Sequence, residues 1–320
     1  MKIVVLDGFA ANPGDLSWNE LQALGECVVY DRTAPEEVLT RSEGATALLT
    51  NKVLIGEAEM AQLPQLRYIG VLATGYNVVD VEAARRRGIV VTNIPAYSTM
   101  SVAQMVFAHL LHITHGVARH ADAVRGGAWQ TAPDFSFSLQ PLIELDGRTM
   151  GIVGLGNTGQ AVARIAQSFG MQVLALSSKG DQQLASMGIR RAADLHQLCA
   201  ESDVLSLHCP LTADTRHLIN RESLSWMRPS AILINTGRGP LVDEQALADA
   251  LAGGRLYAAG IDVLTQEPPR DGSPLIGLSN CHITPHIAWA TQAARERLMR
   301  ITVDNLRAFQ QGKVQNQVNG

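Results

Sequence analysis

Short apolar runs alternate with helix-spaced segments from the first residues onward. Lys2–Leu6 is an apolar run of strand length, and Asp7-Gly8 a turn. Trp18–Leu24 has helical spacing, Cys27–Tyr30 is a second strand, and Ala34–Arg41 is a helix with Pro35 in its first turn, where the lost N–H has no helical partner anyway. The alternation continues through a strand at Ala47–Thr50, a helix at Gly56–Gln62 and a strand at Leu66–Val71. It ends with a helix at Val79–Arg87, whose basic last turn suits the helix dipole, and a strand at Ile89–Thr92. Strands separated by helices predict a parallel, helix-covered sheet, because parallel neighbours need a crossover.

Ser98–Arg125 carries Val102, Met105, Val106, Ala108, His109, Leu111 and Ile113, a pattern too apolar for a solvated linker. It predicts one long helix crossing from the first α/β unit to a second, with spare apolar surface for a partner subunit. Gly126–Leu145 is rich in turn-forming residues and predicts an irregular loop. A second alternating series follows, with strands at Met150–Val153, Met171–Leu176, Val204–Leu207, Ala231–Ile234, Tyr257–Ile261 and His282–Ile283. Between them lie helices at Gln160–Phe169, Ala192–Ala200, Asn220–Met227 and Glu244–Ala252. Ala290–Gln311 is a long Arg-rich helix that could return to cover the first unit, making that unit discontinuous.

Composition narrows the class. The chain has 320 residues, enough for two compact domains, and is 46% hydrophobic with a net charge of −4. That charge argues against a nucleic-acid partner. No apolar run approaches membrane-spanning length, and no leader precedes the first strand, so a cytoplasmic protein is expected. Cys27, Cys199, Cys209 and Cys281 are scattered without C-x-x-C pairing, as expected of reduced thiols. His109, His112 and His115 recur every three residues, a spacing that drifts around a helix, and no carboxylate lies among them. Packing or surface histidines are expected there rather than a metal site.

The most informative stretch is Met150–Gly159, an apolar run ending in Gly154-Leu-Gly-Asn-Thr-Gly159. In this G-x-G-x-x-G spacing Gly154 allows a tight turn, Gly156 leaves no side chain in front of a pyrophosphate, and Gly159 lets the next helix lie close on its strand. The helix N-terminus then offers free N–H groups and a positive dipole end. Three further polar residues follow later apolar strands: Arg238, Glu267 and His286. Ligands of open α/β sheets bind beyond the carboxyl ends of strands.

These pieces together resemble the D-isomer-specific 2-hydroxyacid dehydrogenase family, and within it the glycerate dehydrogenase (hydroxypyruvate reductase) branch. The matching segments are Gly154–Gly159, His208-Cys-Pro-Leu-Thr212, Asn235-Thr-Gly-Arg-Gly239, Asp262 with Glu267-Pro268, and Thr284-Pro-His-Ile-Ala288. Gly70–Gly75 and Asn93–Ala103 also match, so the likeness covers nearly the whole chain.

The resemblance implies an α/β fold of two Rossmann-like domains with parallel sheets. A dinucleotide-binding domain, 99–289, would be inserted in a flavodoxin-like substrate (catalytic) domain, 1–98 plus 290–320. It implies an NAD(P)-dependent oxidoreductase that reversibly reduces a small 2-keto acid, hydroxypyruvate or glyoxylate, to the D-2-hydroxy acid. Arg238 would fork onto the substrate carboxylate and polarise the keto oxygen. His286 would donate the proton, and Glu267 would orient the ring and stabilise its charged form. Backbone N–H groups of Leu72, Ala73, Thr74 and Gly75 would grip the carboxylate. Cofactor contacts would come from Gly154, Gly156, Asn157, Thr158, Gly159, Cys209, Pro210, Thr215, Thr236, Gly237, Arg238, Asp262 and His286. A homodimer through the nucleotide-binding domains is also implied.

One departure bears on the cofactor. NAD users of the family carry an acidic residue at the end of the second nucleotide-domain strand. Here Ser177, Ser178 and Lys179 occupy that place. Hydroxyls and an ammonium favour a 2′-phosphate that a carboxylate would repel, so NADP is expected to be accepted, with NAD left open. The alternative of a different class is a dinucleotide-sensing binding protein of the same fold without significant turnover.

Overall fold

A computed structural model describes residues 1–320, which divide into two compact units, Met1–Ser98 with Ala290–Gly320, and Thr99–Trp289. The first unit contains β1 (Lys2–Val5), β2 (Glu26–Val29), β3 (Ala47–Thr50), β4 (Tyr68–Val71) and β5 (Val90–Thr92). They form an all-parallel sheet in the order β2-β1-β3-β4-β5, a flavodoxin-like arrangement. Every residue of β3 and β4 is buried, as central strands covered on both faces must be.

The terminal helix Gln292–Gln310 belongs to this unit and buries Ala294, Leu298, Val303 and Leu306, with the Phe309 ring 4.9 Å from that of Tyr68. Its first turn also buries Arg295, whose guanidinium forks onto Asp15 through two 2.6 Å bonds. The residues after this helix close the exposed edge of β5. Val318 donates to the Val91 carbonyl, and the Asn319 side chain accepts from the Val91 amide, both at 2.9 Å. Blunting a sheet edge in this way removes a template for unwanted pairing. The apolar pattern stops before this tail and gave no sign of it.

The second unit holds β6 (Thr149–Val153), β7 (Gln172–Leu176), β8 (Ile189–Arg191), β9 (Val204–Leu207), β10 (Ile232–Asn235), β11 (Ala258–Ile261) and β12 (Cys281–Ile283). All pair in parallel, in the order β12-β11-β10-β9-β6-β7-β8. One face packs Val106, Leu110 and Ile113 against Ile152, Val173 and Ile234. The other packs Leu205, Leu233 and Ile261 against Leu224, Leu247 and Leu251.

Two expectations need correction. The long helix is two helices, Thr99–His115 and Val117–Arg125, broken at Gly116, which adopts a left-handed φ of +53°. Both lie within the second unit, so no helix crosses between units. Apolar periodicity continued through the break because a single left-handed residue changes direction without changing composition. The helix Asp181–Ser186 and strand β8 were missed, being too short and polar to show a period. No helix is long and apolar enough to cross a membrane.

Candidate active site

Because the sheet of the second unit is parallel, the segments following β6, β7, β9, β10, β11 and β12 all emerge at one edge. They carry Gly154–Gly159, Ser177–Lys179, Cys209–Thr215, Thr236–Arg238, Asp262–Glu267 and His286 respectively. From β6 the chain builds outward through β7 to β8, then returns to β9 on the other side. That reversal opens a crevice between β6 and β9.

The glycines differ in what surrounds them. Gly154 has φ +86°, and a Cβ there would stand 2.7 Å from the Cys209 amide nitrogen. A Cβ on Gly159 would collide with the Gly154 carbonyl oxygen, so the helix Asn157–Ser168 lies tight on its strand. Gly156 instead faces open space, with nothing within 4 Å of its Cβ position. The open space lies at a helix N-terminus, where first-turn N–H groups, including those of Asn157 and Thr158, have no helical acceptor. Nearby in sequence to Arg238, the Thr236 hydroxyl is buried without a hydrogen-bond partner. A cradle open only at Gly156 and an orphaned hydroxyl at the same sheet edge fit a phosphate-bearing dinucleotide.

At the end of β7, Ser177 and Lys179 are half-buried and Ser178 is exposed. The Lys179 amide donates to Ser177 Oγ at 3.2 Å. Arg191, from β8, donates to the Ser177 carbonyl at 2.8 Å and also bonds the Lys179 carbonyl and the Asp181 carboxylate. This guanidinium tethers the whole turn, and sequence reasoning missed it along with its strand. Beyond β9, Thr215 Oγ1 donates to the Pro210 carbonyl and accepts from the Thr212 amide, both at 2.7 Å. The Thr215 proton is therefore committed to its own loop. Burial pushes the Cys209 thiol up, which keeps it protonated, and drives His208 down to about 4, so that ring is neutral.

Arg238 is exposed at the end of β10. Asn235 braces its turn, accepting from the Gly237 amide at 3.0 Å and donating to the Arg238 carbonyl at 2.9 Å. Gly239 lies so close to the Leu264 and Thr265 backbone that no side chain would fit, which joins the Arg238 turn to the Glu267 loop. Glu267 Oε1 accepts from the Leu264 amide at 2.9 Å, while Oε2 meets His286 Nδ1 at 2.6 Å. Nε2 is the ring nitrogen that the carboxylate leaves unengaged.

Asp262 is 1% exposed, and its carboxylate faces inward. Oδ1 accepts from Thr284 Oγ1 at 2.6 Å and the Ile287 amide at 2.9 Å, and Oδ2 from the Ala288 amide at 2.8 Å. Desolvation raises its pKa, while these donors pull it back. The loop it holds includes His286 at φ +52°, a conformation costing an L-residue about 1–2 kcal/mol.

Leu72–Gly75 lies at the end of β4 in the first unit, and here one expectation fails. The Leu72 amide donates to the Thr50 carbonyl at 2.8 Å and its side chain is fully buried. Leu72 therefore has no donor left for a carboxylate. Thr74 Oγ1 donates to the Ile94 carbonyl at 2.8 Å and Asn93 Nδ2 to the Thr74 carbonyl at 2.7 Å, which fixes the turn. The amides of Ala73, Thr74 and Gly75 remain. No group of His, Cys, Asp or Glu side chains is placed to hold a metal ion. His109 is buried, and His112 packs edge-on against His282 with ring centres 4.6 Å apart.

A doubly wound parallel sheet with a glycine cradle at its switch point, and a carboxylate-held imidazole at the same edge, defines a nicotinamide-dependent oxidoreductase. The chain belongs to the D-isomer-specific 2-hydroxyacid dehydrogenases. The family described as "D-isomer specific 2-hydroxyacid dehydrogenase, NAD binding domain" matches residues 107–288. A hydroxypyruvate reductase of Blautia hydrogenotrophica is 48% identical over 100% of both chains. A glycerate dehydrogenase of Methylorubrum extorquens is 40% identical over 99% of this chain and 98% of the other. The crystal structure of an NADPH-dependent glyoxylate/hydroxypyruvate reductase of Sinorhizobium meliloti, in complex with NADP and malonate, is 31% identical with a TM-score of 0.83, covering 99% of this chain and 96% of that one. The chain is an NAD(P)-dependent oxidoreductase of 2-keto and 2-hydroxy acids.

Proposed function

We propose that this chain reduces hydroxypyruvate, and glyoxylate as a second substrate, to the D-2-hydroxy acid, and that it accepts NADPH. The observation that carries the reading is the 2.6 Å pairing of His286 Nδ1 with Glu267 Oε2. A ring held at Nδ1 by a carboxylate presents Nε2 in a fixed direction. His286 is the proton donor to the keto oxygen, and Glu267 its orienting partner. Arg238, beside them after the adjacent strand, takes the substrate carboxylate with a fixed, planar charge. In the first unit the free amides of Ala73, Thr74 and Gly75 are the proposed carboxylate donors.

Residues 99–289 are the dinucleotide-binding domain in this reading, and 1–98 with 290–320 the substrate domain. Bound NAD(P)H supplies the hydride. Gly156 with the amides of Asn157, Thr158 and Gly159 would hold the pyrophosphate, and the Thr236 hydroxyl would gain its missing partner. Cys209, Pro210 and Gly237 would pack against the cofactor rather than donate to it, since the Gly237 amide is already engaged. Ser177, Ser178 and Lys179 would receive a 2′-phosphate.

Exposed Met100, Val117, Trp129, Phe135 and Leu142 fall within one stretch of the second unit, which supports a homodimer through that unit. Four unpaired cysteines suit the reducing cytoplasm.

Steady-state assays with hydroxypyruvate and glyoxylate, against NADPH and NADH, test the reading. Turnover is expected, and His286→Ala should lower kcat by about 10²–10⁴-fold with cofactor binding nearly intact. Arg238→Ala should raise KM and lower kcat together. Tight NADPH binding with no turnover of any 2-keto acid would return the chain to the dinucleotide-sensing alternative. Sedimentation at micromolar concentration tests the dimer.

A further inference from the structure

The spacing of His109, His112 and His115 predicts packing or surface histidines, yet the surroundings of buried His109 are polar on one side. It sits on the helix Thr99–His115, is 4% exposed, and places Nε2 3.0 Å from Thr284 Oγ1. Strand β11 has a glycine where the ring lies. A Cβ on Gly260 would stand 2.7 Å from His109 Cβ and 2.8 Å from Cγ, so the sheet is cut away to admit this side chain.

The direction of the hydrogen bonds follows from donor counting. A threonine hydroxyl has one proton, and an ionised carboxylate can only accept. Thr284 Oγ1 lies 2.6 Å from Asp262 Oδ1, so its proton goes there. His109 Nε2 must then carry a proton and donate to the hydroxyl. Burial, with His282 and His112 adding to it, lowers His109 to about 4, so the ring is neutral and its single proton is on Nε2. The chain runs from His109 Nε2–H to Thr284 to Asp262, and hydrogen bonds in such a row polarise one another. At its far end Asp262 holds the amides of Ile287 and Ala288, the two residues after His286. The Asp262 carbonyl also accepts from the His286 amide at 2.8 Å.

We propose that His109 is a positioning residue for the proton donor: through Thr284 it supports the buried Asp262 carboxylate, which keeps the His286 loop in its left-handed turn with the imidazole facing Glu267. Donation from the helix, rather than filling of space, is the function of the imidazole. The proposal rests on the reading of His286 as proton donor, and it adds a residue that touches neither substrate nor cofactor.

His109→Leu keeps bulk and removes the donor. His109→Gln keeps a donor where Nε2 stood. If the ring only packs, leucine should be the milder change and glutamine the worse. The proposal requires the reverse. His109→Leu should lower kcat by about five- to tenfold, the order carried by one hydrogen bond between neutral groups, with the cofactor KM unchanged. His109→Gln should recover most of that loss. Thr284→Val should reproduce the leucine effect, Thr284→Ser should not, and the His109→Leu, Thr284→Val pair should be no worse than either alone.

The readout that needs no turnover is amide hydrogen exchange at Ile287 and Ala288, followed by NMR in the full-length protein. Both amides should exchange faster in His109→Leu and Thr284→Val, and at the wild-type rate in His109→Gln and Thr284→Ser. Wild-type kcat and wild-type exchange in His109→Leu would overturn the proposal. If that variant does not fold, the Thr284 pair decides by the same criteria. A wild-type protein that turns over no keto acid would end the proton-donor reading alone, since the exchange rates would still judge the hydrogen-bond chain.

Discussion

His286 Nδ1 and Glu267 Oε2 meet at 2.6 Å although 19 residues of chain separate them. The two come together because β11 and β12 are neighbours and both side chains leave the same edge. The other oxygen of Glu267 is pinned by the Leu264 amide, so the carboxylate cannot swing away from the ring.

Removing the charge while keeping the shape isolates that pairing. Glu267→Gln should lower the rate of reduction by about 10²-fold. An amide oxygen is a weaker acceptor for Nδ1–H than a carboxylate, so the ring is held less firmly. The loss should appear in kcat, with the cofactor KM near the wild-type value. Steady-state kinetics on both proteins check this, and an unchanged kcat counts against the pairing.

Cofactor choice turns on the end of β7. Ser177→Asp puts a carboxylate where a 2′-phosphate would lie, on the turn that Arg191 tethers. The ratio of kcat/KM for NADPH over NADH should fall by about tenfold or more, one charge repulsion at close range. An unchanged ratio would mean the 2′-phosphate lies elsewhere.

The glycine turn separates folding from binding. A methyl group at Gly156 meets nothing, so Gly156→Ala should leave thermal stability near wild type while weakening cofactor binding, because the methyl enters the pyrophosphate space. At Gly159 the methyl collides with the Gly154 carbonyl, so Gly159→Ala should lower Tm in the absence of cofactor. Thermal unfolding and cofactor titration of both variants, side by side, test the two roles.

In the first unit, the Arg295 guanidinium holds the Asp15 carboxyl below the usual carboxylate range. A carboxylate depressed in the fold stabilises it above the ordinary range, and that contribution is lost as pH falls through the folded value. Asp15→Asn should lower Tm at neutral pH, and its deficit against wild type should shrink as pH drops below about 4. Melting curves across that window test the ion pair.

The apolar runs at Ala47–Thr50 and Val204–Leu207 and the helix Glu244–Ala252 agree with the observed elements residue for residue, because buried parallel strands and amphipathic helices leave a period that needs no partner to be seen. The order of alternation fixed a parallel sheet, and with it the edge on which Arg238, Glu267 and His286 emerge. Gly154, Gly156 and Gly159 were likewise legible, since their spacing is local. What the residues could not disclose depended on partners distant in the chain. Leu72 lost its amide to Thr50, Arg191 came over from a strand without a pattern, and Gly116 turned a helix whose composition ran on unchanged. His109 looked like any apolar-face histidine until Gly260 and Thr284, far along the chain, were seen to enclose it. Periodicity records which face a residue turns inward; which donor meets which acceptor there is settled only when separate segments are packed together.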